Sequence, residues 1–257
     1  MKVLKMVFIA GVIGFLGCHR TTYPLLPPSD VESISSDNEI ILLWSDVDNP
    51  HVVSYRIYRS DRPYGYFELI DEVTTNSYVD RDVVNGTTYY YALSSVDEYG
   101  NESDLTSYPI FDTPRPERHN QRVFSYSYSH DTLGYSGYLL SEFTPVRMDE
   151  GDFYFTYENG VPMIICAPST YIQDLGETED LTDINWAPED GWTQGRVQAF
   201  SGHSYVIWTQ DNHFAQIRIL SITDEYMLFD VAYQTDPGNH ELSISKSKTL
   251  IIRKTGR

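Results

Sequence analysis

The chain has 257 residues, of which 37 are Asp or Glu and 18 are Lys or Arg, giving a formal net charge of −19. That acid excess excludes a nucleic-acid binder, which needs clustered Lys and Arg, and a protein held to anionic lipid by a basic patch. Hydrophobic residues at 41% exclude wholesale disorder, and 14% aromatics, with 21 Tyr, favour pleated sheet over helix.

The first element in chain order is an address. Lys2 and Lys5 precede an almost wholly apolar run from Met6 to Leu16, too short to span a bilayer as a helix but matching a secretory signal. The run ends in Phe15-Leu16-Gly17-Cys18, which resembles the bacterial lipobox, with Phe15 and Leu16 bulkier than its usual occupants. The resemblance implies that residues 1–17 are a signal peptide and that Cys18 is the lipid-attachment site. The protein is then exported and anchored by lipid in the cell envelope, with a mature charge of −21 once Lys2 and Lys5 are removed. Cys166 is left alone in the apolar run Pro162 to Ala167, which predicts a buried, inert thiol and no disulfide framework.

Residues 18–27, with Pro24 and Pro27 and no periodic pattern, read as a tether. Period-two alternation then begins. Ile40, Leu42 and Trp44 share one face, as do Val53, Tyr55 and Ile57 further on. Phe67 to Val73, Ser77 to Asp80 and Thr88 to Val96 are further strands, punctuated by Asp46 to Pro50, Arg62 to Gly65, Asn85-Gly86 and Asp97 to Asn101. Strands recurring at about ten-residue spacing indicate a β-sandwich. The pieces Pro27-Pro28, Trp44, Tyr55-Arg56-Ile57-Tyr58-Arg59-Ser60, Asn85 to Tyr91 and Val96 to Ser103 resemble a fibronectin type III domain, over residues 28–110. The resemblance implies that Trp44, Tyr55 and Ile57 pack between the sheets. It also puts Tyr89 at a tyrosine corner, its hydroxyl bonded back to the backbone. No Arg-Gly-Asp tripeptide is present to support integrin binding, and the 16 acidic and 4 basic residues between Pro24 and Ile110 suit a spacer or contact module.

Residues 111–120 (FDTPRPERHN) read as a Pro- and charge-rich linker to a second β-domain over residues 121–257. There Val123 to Tyr128, Phe153 to Tyr157 and Met163 to Ala167 look like strands, while Gln173 to Asn185 looks like an acidic loop. A two-residue turn at Asp211-Asn212 predicts a hairpin pairing Thr209 with Phe214. It would place Val206, Trp208, Ala215, Ile217 and Ile219 on one face, and Tyr205, Thr209, Gln216 and Arg218 on the other. No long helix is expected after the signal. The runs Gly202 to Ile219 and Phe229 to Asp236 resemble HmuY-like bacterial lipoproteins, all-β surface proteins some of which capture haem. The fold class expected is therefore all-β, a fibronectin type III β-sandwich followed by a second antiparallel β-domain.

Haem is the one cofactor this resemblance raises, with His130, His203 and His213 as candidate ligands, although His203 and His213 sit at opposite ends of one hairpin. Gly202-His203-Ser204-Tyr205-Val206 lacks the second glycine of a hydrolase elbow and runs straight into a strand. The acidic clusters Asp46, Asp48, Asn49 and Asp174 to Asp183 lack calcium-loop spacing. Trp186 and Trp192, flanking Ala187 to Gly191, suit stacking on a glycan or anchoring a loop. No catalytic residue and no metal site emerges. A glycan-active enzyme would need two carboxylates facing across a cleft, which sequence alone cannot pair. The expected function is a non-enzymatic binding or interaction protein with protein or glycan partners and a lipid anchor in the membrane; capture of haem or another tetrapyrrole is the alternative.

Overall fold

The computed structural model describes residues 24–246, so the signal, Cys18 and most of the tether lie outside the described residues. Two β-sandwiches follow one another. In the first, β1 (Ser29–Ser36), β2 (Glu39–Ser45) and β5 (Ser77–Asp80) lie side by side in that order. Facing them are β3 (Val52–Ser60), β4 (Glu68–Val73), β6 (Tyr89–Asp97) and β7 (Ile110–Asp112), in the order β4-β3-β6-β7. Alternation sends Ile40, Leu42 and Trp44 inward against Tyr55, Ile57, Tyr91 and Leu93, all buried. The Tyr89 hydroxyl accepts the Val84 backbone N–H at 3.1 Å, the corner bond expected from sequence. At the sheet edge Tyr91 donates to buried Asp80 at 2.9 Å, and Arg59 ties Asp80 and Asp82 together at 2.9 and 3.0 Å.

The second sandwich packs a five-stranded sheet on a six-stranded one. The smaller sheet contains β9 (Gly137–Leu139), β10 (Thr144–Val146), β11 (Phe153–Glu158), β12 (Val161–Cys166) and β15 (Arg196–Gln198), in the order β10-β9-β11-β12-β15. The larger contains β8 (Glu117–Phe124), β13 (Tyr171–Glu177), β14 (Thr193–Gln194), β16 (His203–Trp208), β17 (Phe214–Ile222) and β18 (Tyr226–Tyr233), in the order β14-β13-β16-β17-β18-β8. Tyr138, Phe153, Phe155 and Ile164 from one sheet meet Tyr205, Ile207, Ile217 and Phe229 from the other in a single core.

Several local expectations need correction. The strand read at Val123 to Tyr128 stops at Phe124 and gives way to one helical turn, α1 (Tyr126–Ser129). The acidic segment from Gln173 is strand as far as Glu177. The hairpin pairs Trp208 with Phe214 and Ile207 with Ala215, one residue away from the predicted register. Its loop is closed by the Thr209 N–H donating to the His213 carbonyl, with Asn212 at φ +68°, a three-residue connection rather than a two-residue one. A one-residue slip exchanges the faces. Tyr205 and Ile207 therefore join Ala215, Ile217 and Ile219 in the main core, while Val206 packs with Phe214, Ala187 and Leu242 on the opposite face.

The segment read as a linker carries strand at both ends, since Phe111 and Asp112 belong to β7 and Glu117 to Asn120 open β8. After β18 the chain returns to the first sandwich, where β19 (Ile244–Lys246) pairs antiparallel with β1 and extends that sheet. The contact between the sandwiches is polar. Arg115, Asp112 and Thr113 are fully buried there, with Glu241 at 1% exposure. The Arg115 Nη1 donates to the Ser35 carbonyl at 3.2 Å and lies 3.7 Å from Glu117. Asn85-Gly86 presses on the second sandwich: a Cβ on Gly86, at φ +79°, would come within 2.4 Å of the Thr235 hydroxyl. Arg118 pairs with Asp37 at 2.8 Å across the same contact.

Burial pushes the Asp112 carboxyl up to about 7 against the opposing pull of its hydrogen bonds and of Arg115, and burial also lowers Arg115 despite Glu117, Asp112 and Glu241. The folded protein thus holds a proton on Asp112 that the unfolded chain has already released. This contribution to stability is complete below the ordinary Asp range and is lost as pH rises through about 7. Urea midpoints should accordingly fall between about pH 5 and about pH 8, and Asp112→Asn should flatten that part of the profile. An unchanged slope in the variant would assign the decline to other groups.

Candidate functional site

The histidines proposed as ligands are dispersed. His203 opens β16, where its Nδ1 lies 2.9 Å from Asp174 of β13 and its ring meets Phe200 at 5.0 Å. His213 follows the other end of the strand, roughly 17 Å away at the usual rise per residue, 3.2 Å from Asp211 and stacked on Tyr233 at 5.3 Å. The exposed His130 caps α1 at φ +46° with its ring edge-on to Tyr126. His203 and His213 already have acidic and aromatic partners, and their separation prevents them from sharing one iron.

The other sequence candidates serve local structure. Ser204 is buried in β16 with its hydroxyl 2.7 Å from that of Thr178, so no strand-turn-helix elbow forms. In the acidic segment, Asp180 accepts the Thr182 N–H and Asp183 accepts the Glu179 N–H at 2.6 Å, capping the 3-10 turn Leu181–Asp183. Asn49 is buried, donating to the Pro24 carbonyl and accepting from the His51 N–H. Among the described residues, no group of three or more His, Cys, Asp or Glu is placed to hold a metal. Trp192 packs against Trp208 and Phe214, and Trp186 lies parallel to His240 at 6.1 Å while keeping 39% exposure. Both anchor the loop whose Ala187 is fully buried.

Two surface features escaped the sequence. On the first sandwich an apolar cleft of about 290 Å³ is lined by Pro63, Tyr64, Phe67, Leu105 and Tyr108 among others, with Tyr64 at 78% and Tyr108 at 61% exposure. On the second, a polar cleft of about 350 Å³ is lined by Leu139, Ser141, Asp152, Gln210, Asp211 and Tyr233. Burial, with a smaller push from Asp211, raises the Asp152 carboxyl. Burial also acts to raise Asp211, but the hydrogen bonds from Thr209 and His213 outweigh it and hold it low. Residues far apart in sequence meet here, and no spacing motif announces them.

The β1-β2-β5 sheet facing β4-β3-β6-β7, together with the Tyr89 corner, defines the first sandwich as a fibronectin type III domain, in an all-β chain. No protein-family model matches the chain. Over 90 residues it is 42% identical to the amylopullulanase of Thermoanaerobacter thermohydrosulfuricus, which covers 33% of this chain and 6% of that enzyme. The amylopullulanase of Thermoanaerobacterium saccharolyticum is 39% identical over 89 residues, 33% of this chain and 7% of the enzyme. The chain thus spans only a small fraction of the curated relatives it matches. Among solved structures, an Fn3-like protein from Clostridium thermocellum is 30% identical, with 32% of this chain and 86% of that one covered and a TM-score of 0.29. The structure of FN3tt is 21% identical, with 35% and 94% covered and a TM-score of 0.30.

Cys166 lies buried at the end of β12, and burial, reinforced by Asp152, pushes its thiol up to about 12. In a Cys18→Ser chain, dithionitrobenzoate should modify Cys166 at least about a hundredfold more slowly in the native state than in urea. Equal rates would show that the thiol is accessible in the fold.

Proposed function

We propose that this chain is a lipid-anchored envelope protein that binds a neutral glycan through its fibronectin type III domain and performs no catalysis on it. The observation that carries this reading is the apolar cleft rimmed by Tyr64 and Tyr108. Aromatic side chains with one apolar face and one polar tip are the usual contact residues of recognition surfaces. The net charge of −19 disfavours anionic polymers, leaving neutral ones. The 42% identical segment in an amylopullulanase supports the same class of partner, since it amounts to 6% of that enzyme and has the length of one accessory domain. The lipobox-like Phe15 to Cys18 supports the anchor, and the hairpin runs resembling HmuY-like lipoproteins support a surface-facing second sandwich.

Electrophoresis through gels containing pullulan or amylopectin tests the glycan. Retardation of the soluble chain that starts after Cys18 is expected, reduced about fivefold or more by Tyr64→Ala with Tyr108→Ala, without release of reducing sugar. Migration unaffected by either polymer would overturn the partner class, and reducing sugar would overturn the absence of catalysis. For the anchor, labelled palmitate should enter the full chain and be lost in Cys18→Ser.

A further inference from the structure

β19 covers only part of the edge that it joins. It pairs antiparallel with β1 through Glu32 with Lys246, Ser33 with Ser245 and Ile34 with Ile244. β1 begins earlier, at Ser29, so Ser29 to Val31 have no strand beside them on that side among the described residues. A groove of about 450 Å³ opens along this uncovered stretch. One wall is Leu26 to Val31 and the other is Thr106 to Tyr108 with Ile110. Leu26 is 55% exposed and Tyr108 61%, so both walls leave large apolar side chains to water.

The sequence that follows Lys246 has the composition to fill such a groove. Residues 247–257, which lie outside the described residues, begin Ser247-Lys248-Thr249 and continue with Leu250-Ile251-Ile252, Arg253 and Lys254. They hold four Lys or Arg and no acid, whereas Pro24 to Ile110 carries 16 acids against 4 basic residues. Three consecutive large aliphatic side chains between cations favour an apolar site with acids around it.

We propose that residues 247–252 continue along β1 and fill this groove, so that the chain's own return segment closes the first sandwich. Extending the observed register sets Ser247 opposite Val31 and Lys248 opposite the exposed Asp30. The same count brings Leu250, Ile251 and Ile252 alongside Pro28, Pro27 and Leu26, the apolar end of the wall. The mode of contact changes on the way. β1 is bulged between Ser29 and Glu32, with Asp30 at φ +50°, and Pro27 and Pro28 have no N–H to offer a ladder. Backbone pairing therefore ends near Asp30, and the aliphatic side chains beyond it hold by packing against Leu26, Pro28 and Tyr108. Covering an open strand edge in this way also shields it from pairing with other chains. Thr106 to Tyr108 line the cleft that contains Tyr64 as well, so the segment borders that cleft, but the inference does not rest on the glycan reading.

Cross-linking in a Cys18→Ser chain tests the placement. Ser107 is exposed on the opposite wall of the groove, and Ser141 is exposed on the second sandwich. A short bismaleimide should join the Ile251→Cys and Ser107→Cys pair within one chain at least about fivefold faster than the Ile251→Cys and Ser141→Cys pair, read by mass spectrometry of the digested monomer. Deleting residues 247–257 leaves β19 in place and should speed amide exchange over residues 29–31 at least about tenfold, with β3 and β6 unchanged. Equal rates for the two pairs, cross-links formed only between chains, or exchange unaltered by the deletion would each overturn the proposal.

Discussion

A guanidinium removed entirely from water is the constraint around which the two sandwiches are arranged. Arg115 lies on the short connection between β7 and β8 and is fully buried. Its acidic surroundings come from three segments: Asp112 from the end of the first sandwich, Glu117 from the start of the second, and Glu241 from the stretch that returns after β18. An unbalanced buried charge costs several kcal/mol, about as much as the margin by which a small domain is stable. The cluster is complete only when all three segments are in place. The packing of one sandwich on the other is therefore coupled to the burial of this charge.

That arrangement separates this pair from ordinary tandem domains, where a polar interface permits relative motion. Backbone pairing between β1 and β19 crosses the boundary, as do the Arg118–Asp37 pair and the contact of Gly86 with Thr235. The burial of Asp112 beside Arg115 gives the joint its own titration, because the cluster contains more carboxylates than cations and one acid keeps its proton most easily. A buried charge of this kind adds little net stability, but removing one of its acidic neighbours leaves it uncompensated at a cost of several kcal/mol.

The first sandwich was legible because its determinants are local. Alternation in Ile40, Leu42 and Trp44, the Asn85-Gly86 turn and the Tyr89 corner each operate within a few residues. The hairpin of the second sandwich was legible as a hairpin but not in its register. Whether Asp211-Asn212 closes a two- or three-residue loop depends on the left-handed Asn212 and on Thr209 bonding across to His213, and one residue is enough to exchange core and outer face. In the sequence Arg115 is one charge in a linker-like run, because its burial depends on Glu241 and the return of the chain, neither of which pattern reveals. The cleft residues Asp152, Asp211 and Tyr233 were invisible for the same reason: three strand ends had to converge before their chemistry existed.

The distribution of the scarce cations connects these features. Arg59 is committed to Asp80 and Asp82, Arg56 to Glu72 and Glu102, Arg118 to Asp37, and Arg115 to the boundary cluster. The exposed pairs among these, such as Arg118–Asp37, add little stability individually, but each pair fixes where an acid is neutralised. With 37 acids against 18 Lys and Arg, some carboxylates must remain uncompensated, and the fold decides which. Many face water, where the cost is small, and others cap turns, as Asp180 and Asp183 do. Asp152 is different, since it is held away from water next to a second carboxylate with no Lys or Arg among the cleft's lining residues. A protein that can bury an arginine among acids at its domain boundary has left this second group of acids open to one side.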